Sequence, residues 1–230
     1  MFEGKIIDLS QEIYTGMPVY PGHMKTVIWT HLSHEECQRQ LGTGFSYETR
    51  GILICDHGPT HIDSVSHLSR DPQAESVDQL SLDKCITSAI CLDVSDILLK
   101  TQFGRSKIEE QLQKWNLKIQ QGDTVLFYTA HYDRYYGKPE YMTEYPGLDQ
   151  EATEYIIDQG CVNFGVDSPS PDMWYDKTYP CHTTCAKRRI THVENLCNLD
   201  KLIGSRFTFI GLPLKIRNGT GSPLRAVAVL

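Results

Sequence analysis

The stretch DHGPTHIDSVSH, residues 56–67, is the most informative part of this sequence. Its three histidines and one central aspartate follow the spacing His-x3-His-x-Asp-x3-His, at His57, His61, Asp63 and His67. If the backbone is extended, His61 and Asp63 project to the same side, because strand residues two apart share a face. The Gly-Pro pair after His57 interrupts any preceding strand, so His57 can fold over that turn. We therefore predict that His57, His61 and Asp63 converge.

Two imidazoles and one carboxylate form a donor set that suits a divalent metal. Zinc is the first choice for these nitrogen and oxygen ligands and manganese the second, with coordination positions left open for water. His57, His61 and Asp63 are therefore the predicted metal ligands. The alternative is that these histidines only satisfy hydrogen bonds beside a turn, as single histidines often do.

Apolar and β-branched runs along the chain predict strands. The predicted strands cover residues 5–9, 51–55, 89–94, 124–128, 161–166, 207–210 and 225–229. The run at 51–55, which leads into the histidine motif, has the continuous apolar character of a buried strand.

Two segments carry helix signals. Residues 106–115 place apolar side chains on one face, and Ser106 with Glu109 matches the capping-box pattern. Residues 149–159 begin with a capping Asp149 and stop at a glycine. Because strands outnumber helices and the two alternate in the middle of the chain, we predict an α/β fold with a mixed sheet.

Length and composition limit the classes of protein that this chain can represent. Its 230 residues fit one domain over residues 1–230, and its net charge of −7 argues against a nucleic-acid partner. No apolar run approaches the ~18 residues needed to cross a membrane, and Met1–Lys5 lacks the start of a secretion signal. The eight cysteines are then expected to be reduced and mostly buried, in a cytoplasmic protein.

The segment 129–147 is rich in tyrosine and contains Gly-Lys-Pro and Pro-Gly turn signals. It is predicted to be a long loop, and long loops inside compact domains are often functional. The alternative is a surface excursion without a role.

Two further candidate ligands, His182 and Glu194, lie far downstream of the motif. Their spacing alone does not place them near it. Cys181 and Cys185 flank His182, so a separate structural zinc is an alternative, although one Cys-x3-Cys pair is a weak signal.

The motif resembles the cyclase family of metal-dependent hydrolases, which includes bacterial kynurenine formamidases. The family pattern His-x-Gly-Thr-His-x-Asp-x-Pro-x-His corresponds to His57 through His67. The likeness extends over nearly the whole chain. Other matching stretches are residues 17–22, 146–148, 165–172, 194–199, 212–215 and 221–227.

The resemblance implies two metal ions per chain. The positions matching His57, His61 and Asp63 bind one ion in kynurenine formamidases. Those matching Asp63, His182 and Glu194 bind the second, so that the aspartate bridges both.

The resemblance also implies roles outside the ligand set. The position matching His67 is a general acid or base, and the aromatic residue at Tyr20 helps to hold the substrate. The implied fold is a swivelling β/β/α domain that is usually a homodimer. The implied reaction is hydrolysis of a small-molecule amide of the N-formylkynurenine type, in tryptophan catabolism, by metal-activated water. A hydrolase of cyclic amides, lactones or other esters is the enzymatic alternative, and a non-catalytic metal- or ligand-binding protein is the other.

Three positions depart from the family pattern. Gly58–Pro59 stands in place of the residues before Thr-His, and Ser64–Val65 replaces Ala-Pro after the aspartate. His23 stands where an acidic residue commonly follows Pro-Gly. None of these changes removes a predicted ligand, so they bear on the substrate more than on the chemistry.

Overall fold

The computed structural model describes residues 4–230, so the prediction about a leader at Met1–Lys5 falls partly outside the described residues. The described residues form six α-helices: α1 His34–Leu41, α2 Val65–Leu68, α3 Arg105–Lys114, α4 His131–Tyr135, α5 Gln150–Asp158 and α6 Pro180–Arg188. The strands are β1 Ile6–Asp8, β2 Val27–Leu32, β3 Thr49–Leu53, β4 His61–Asp63, β5 Ile86–Asp93, β6 Gln102–Phe103, β7 Thr124–Tyr128, β8 Gly147–Leu148, β9 Asn163–Val166, β10 Thr191–Glu194, β11 Arg206–Ile210, β12 Gly221–Pro223 and β13 Val227–Val229.

Nine of these strands form one mixed sheet in the order β1-β13-β11-β5-β7-β9-β10-β4-β12. The four central strands β5, β7, β9 and β10 are parallel, and the strands on either side join them antiparallel. The prediction of an α/β fold with a mixed sheet is confirmed. That of residues 1–230 as one domain stays a prediction.

Both faces of the sheet are buried, because alternate residues of each central strand enter different cores. Along β5, Cys91 packs in one core while Ile90 and Leu92 pack in the other. The second core also contains Ile108 of α3 and Ile156 of α5, so these helices cover that face. Continuous apolar strands such as β7 are typical of this arrangement.

Most predicted elements are present, with shifts of a few residues at their ends. The strand at 124–128 and the helix that follows the Asp149 cap match the prediction. The capping box at Ser106 is wrong, because α3 begins one residue earlier with Gly104 at its N-cap. The loop prediction for 129–147 is also wrong in part, since that segment contains α4 and a short 3-10 helix at Pro139–Met142.

The strand predicted at 51–55 forms as β3, but it is not buried. It pairs with β2 in a separate two-stranded hairpin, and Ile52 is 59% exposed. An apolar run indicates that its side chains favour burial, but it does not identify the surface that would bury them.

Within residues 4–230, no helix has the length and apolar character needed to cross a membrane. All eight cysteines are unpaired, and only Cys55 is not buried.

Candidate metal centre

The centre is built on two neighbouring antiparallel strands, β4 and β10. Their register places His61 opposite Glu194 and Asp63 opposite His192. Residues two apart on a strand share a face, so all four side chains project from the same side of this pair. All four are buried, and side-chain exposures range from 0% for His192 to 8% for Glu194.

Two histidines are oriented by acceptors behind their rings. His61 donates its Nδ1–H to the Pro59 carbonyl, 2.9 Å away. His182, near the start of α6, donates its Nδ1–H to the carboxylate of Asp172. In both rings, Nε2 then presents its lone pair to the centre. This is how metal-binding histidines are usually held.

His57 is held in the same way but through its other nitrogen. Thr220 donates its hydroxyl hydrogen to Asp56, so its oxygen accepts from His57 Nε2 at 2.9 Å. Nδ1 of His57 then faces Asp63 Oδ1 at 2.7 Å. Gly221 makes room for this ring, because a Cβ atom there would lie 2.7 Å from Cε1 of His57.

Two carboxylates meet these inward lone pairs. His61 Nε2 lies 3.2 Å from Asp63 Oδ1 and 3.4 Å from Glu194 Oε2. His182 Nε2 lies 3.8 Å from Asp63 Oδ2 and 3.7 Å from Glu194 Oε1. Among the described residues, no lysine or arginine pairs with either carboxylate. Buried carboxylates that converge without a lysine or arginine need another cation, and this set of imidazole and carboxylate groups fits a divalent metal.

The charge state of Asp63 agrees with that requirement. Burial acts to raise its pKa, but the His57 and His61 rings that face it, with His192 beside them, hold the pKa well below its usual range. The carboxylate is therefore ionised at neutral pH.

His67, on α2, borders the donors without joining the buried face. Its Nε2 lies 3.6 Å from Asp63 Oδ2, its ring is centred 4.0 Å from that of His57, and its side chain is 34% exposed. Burial lowers the pKa of His67 to about 4, and the nearby His57 and His182 rings add to that effect. The ring is therefore neutral at pH 7 and able to accept a proton.

A cavity of about 390 Å³ opens over these groups. All seven predicted site residues line it: Tyr20, His57, His61, Asp63, His67, His182 and Glu194. Aromatic rings form part of the wall, and Tyr20 lies 6.4 Å from the Trp174 ring between centroids. Residues far apart in sequence thus reach one cavity.

The alternative of a separate zinc at Cys181 and Cys185 finds no support. Both thiols pack in the core under α6, and within residues 4–230 no cysteine belongs to a cluster that could hold a metal.

Neither His192 nor Asp172 was predicted as part of the centre. His192 could have been found, because a His-x-Glu pair on a strand repeats the spacing of His61 and Asp63. Asp172 carried no such signal, since it reaches His182 across nine residues of loop and helix start.

The family model named Cyclase matches residues 7–173. A kynurenine formamidase of Bacillus mycoides is 26% identical over 221 residues, covering 96% of this chain and 95% of that protein. Isatin hydrolase A from Ralstonia solanacearum superposes with a TM-score of 0.85 at 25% identity, covering 99% of this chain and 92% of that one. An isatin hydrolase bound to the product analogue thioisatinate superposes with a TM-score of 0.86 at 22% identity. The match covers 99% of this chain and 93% of that one.

The family model covers well over half of the chain, and the fold of isatin hydrolase A agrees with it. The chain belongs to the cyclase family.

Proposed function

We propose that this protein is a metal-dependent hydrolase that cleaves the amide bond of a small aryl formamide, as kynurenine formamidases do. The observation that carries the proposal is the convergence of His57, His61, His182, Asp63 and Glu194 beneath an aromatic-lined cavity. The family and its relatives support the same reaction class.

His57, His61 and Asp63 would hold one divalent ion, and Asp63, His182 and Glu194 a second. Zinc fits this set of imidazole and carboxylate donors best, and manganese is the alternative. When bound, such an ion lowers the pKa of water towards neutrality and polarises a carbonyl oxygen.

His67 is placed to move the proton. Its neutral imidazole lies between the metal-binding side chains and the open cavity. It can therefore take a proton from the water that attacks the amide carbon. The same ring then returns that proton to the leaving nitrogen, as a general acid. Without this transfer the amine would have to leave as an anion.

Tyr20 and its neighbours hold the aryl group. Tyr20 packs against His23 with ring centroids 5.1 Å apart, and Tyr179 and Met142 line the same cavity. Faces of this kind bind flat aromatic rings by stacking and by apolar burial.

A cyclic aryl amide such as isatin is the second candidate substrate, and one observation favours it. The described residues that line the cavity include no lysine or arginine. An amino-acid substrate would bring a carboxylate that finds no cationic partner there, whereas an uncharged lactam needs none. The likeness to isatin hydrolase A supports this candidate as well.

The test is a panel of matched substrates assayed with the zinc-loaded enzyme. It compares formanilide, N-formylkynurenine and isatin by kcat/KM, with each assay repeated after chelation. We expect metal-dependent hydrolysis of at least one aryl amide, and the ratio among the three identifies the substrate class. Metal binding without turnover of any member would support the non-catalytic alternative. Unchanged activity in a verified metal-free sample would exclude the metal mechanism.

We also infer a homodimer, formed through the arm that consists of β2, α1 and β3. Large apolar side chains are exposed along it: Val27, Trp29, Leu41, Phe45, Ile52 and Leu53. Val27, Trp29 and Leu53 lie on one face of the β2–β3 hairpin and Ile52 lies on the other, because paired residues share a face. Apolar side chains exposed on both faces of an arm mark an interaction site. Ile52→Glu should convert a dimer into a monomer in sedimentation, while Leu98→Glu, on another exposed loop, should not. A wild-type protein that sediments as a monomer would contradict this assembly.

A cytoplasmic location is part of the same proposal. Eight unpaired cysteines, seven of them buried, suit a reducing compartment. Fractionation of the native host tests it.

A further inference from the structure

His192 is a buried imidazole at the centre that has no assigned part in it. The β4–β10 register puts it directly opposite Asp63, and its side chain is fully buried. Its ring is fixed between Phe164, stacked at 5.4 Å between centroids, and His182 at 4.8 Å. The imidazole therefore cannot turn away from the carboxylates without repacking the core.

His192 Nε2 lies closer to the two carboxylates than His182 Nε2 does. Its Nε2 lies 3.1 Å from Glu194 Oε1 and 3.4 Å from Asp63 Oδ2, and His182 Nε2 faces the same two oxygens at 3.7 and 3.8 Å. Four donors at tetrahedral corners, with metal bonds of about 2.0–2.1 Å, lie roughly 3.3 Å apart. These four side chains also form one cluster whose ligand atoms all lie within 4.8 Å of one another.

We propose that His192 is the fourth protein ligand of the second metal ion, with Asp63, His182 and Glu194. This inference rests on the proposed two-metal function. Its consequence is a division of roles between the ions. Sites with four protein ligands are closed and structural, whereas catalytic sites keep an open position. The second ion would then fix Asp63 and Glu194, and the site at His57 and His61 would be the one open to water and substrate.

The competing role for His192 is to donate a hydrogen bond to Glu194. Nδ1 of His192 has no nitrogen or oxygen partner among the described residues, and the Cys185 thiol, not a carboxylate as in His182, is its polar neighbour on the side away from the centre. A glutamine at this position separates the two roles. Its side-chain amide still donates to a carboxylate, but it is a poor substitute for an imidazole ligand of zinc or cobalt.

The wild-type protein provides the first measurement. Metal-free enzyme is titrated with cobalt(II), and the second equivalent is expected to give the intense visible absorption of a four-coordinate site. Zinc X-ray absorption of the two-ion form should show an average of about two imidazoles per metal. A five- or six-coordinate cobalt spectrum for the second equivalent would overturn the proposal, whether or not any variant folds.

The variants provide the second measurement. His192→Gln and His192→Ala should both weaken the second zinc by at least about 100-fold, beyond the loss typical for a residue outside the ligand set. His131→Gln, which replaces a buried imidazole outside the cavity lining, should bind both ions normally. If His192→Gln binds zinc like the wild type, His192 is only a hydrogen-bond donor and the proposal fails. A protein that takes up no second ion at all would instead contradict the two-metal function itself.

Discussion

At the scale of single residues, His67 is the side chain on which the proposed mechanism depends. It faces both Asp63 and the open cavity, and it is not buried with the other donors. We predict that His67→Ala lowers kcat by about 100-fold or more, because general acid–base transfer typically contributes that much. Zinc content and melting temperature should stay near the wild-type values.

The same variant distinguishes two other roles for His67. If the ring only braces α2, stability should fall by about 1 kcal/mol with little change in turnover of the folded protein. If it is a ligand, as its clustering with His57 and Asp63 allows, metal content should fall with activity. Near-normal turnover with full metal would remove the acid–base assignment.

Asp172 acts through His182. It accepts from the ring of His182 and from the backbone N–H groups of Cys181 and His182, which fixes the first turn of α6. We predict that Asp172→Asn weakens zinc binding by about 10- to 100-fold, because the lost charge no longer orients and polarises the imidazole. Competition with a chelator measures this affinity. Asp176→Asn, in the same loop, is the control, and equal affinities for the two variants would contradict this role.

The residue scale also shows what sequence can predict about the site. His61 and Asp63 were predicted from their spacing because a strand imposes it. His182 and Glu194 came only from the family resemblance, since their approach depends on how β9, β10 and α6 pack. Asp172 was missed because no local pattern links a loop carboxylate to a histidine on the next helix.

At the scale of secondary-structure elements, Gly147 on β8 supports the loop that carries Asp172. A Cβ atom there would lie 2.1 Å from Met173 N and 2.6 Å from Pro171 O, and backbone atoms cannot move aside as a flexible side chain can. We predict that Gly147→Ala lowers stability by about 1–3 kcal/mol, the usual range for overpacking, and weakens zinc binding by displacing Asp172. Urea unfolding of the zinc-loaded and metal-free forms measures both effects.

Gly44→Ala is the matched control for that substitution, because no heavy atom lies within 4 Å of a Cβ atom placed there. Its stability should stay within about 0.5 kcal/mol of the wild type. If Gly147→Ala were no less stable than Gly44→Ala, the close contact of β8 with the Asp172 loop would not hold in solution.

Element types were predicted better than element environments. The strand at 124–128 and the helix after Asp149 carry their own signals, in an apolar run and a capping aspartate. β3 was correctly predicted as a strand, but the prediction that it is buried was wrong, because its apolar side chains lie on the exposed arm. Local sequence specifies the backbone conformation of a segment, whereas the burial of its side chains depends on tertiary or quaternary contacts.

At the scale of the whole molecule, one buried carboxyl makes stability depend on pH. Asp167 follows β9 and accepts from the backbone N–H of Thr129 at 2.9 Å and from its hydroxyl at 2.5 Å, both through Oδ1. Its other oxygen, Oδ2, is buried without a partner among the described residues. Burial raises the pKa of Asp167 to about 7, although the Thr129 hydrogen bonds oppose the shift.

The stability depends on pH because the pKa of Asp167 differs between the unfolded and the folded protein. An unfolded aspartate loses its proton near pH 3.9, whereas the folded protein keeps this one until about pH 7. The stability contributed by the protonated carboxyl is therefore fully present below pH ~4 and is lost as pH rises to about 7. Across that window the loss is on the order of 4 kcal/mol, since each pKa unit corresponds to about 1.4 kcal/mol.

We therefore predict that Asp167→Asn removes this loss. An asparagine can still accept from Thr129 through its oxygen, and it has no proton to release. The free energy of unfolding of the variant minus that of the wild type should increase steadily from about pH 4.5 to about pH 7 and then level off. Urea titrations of both metal-free proteins across this range measure it. Because the two proteins share the metal centre, its own titration cancels in the difference. A difference that does not change with pH would mean that Asp167 ionises normally in the folded protein.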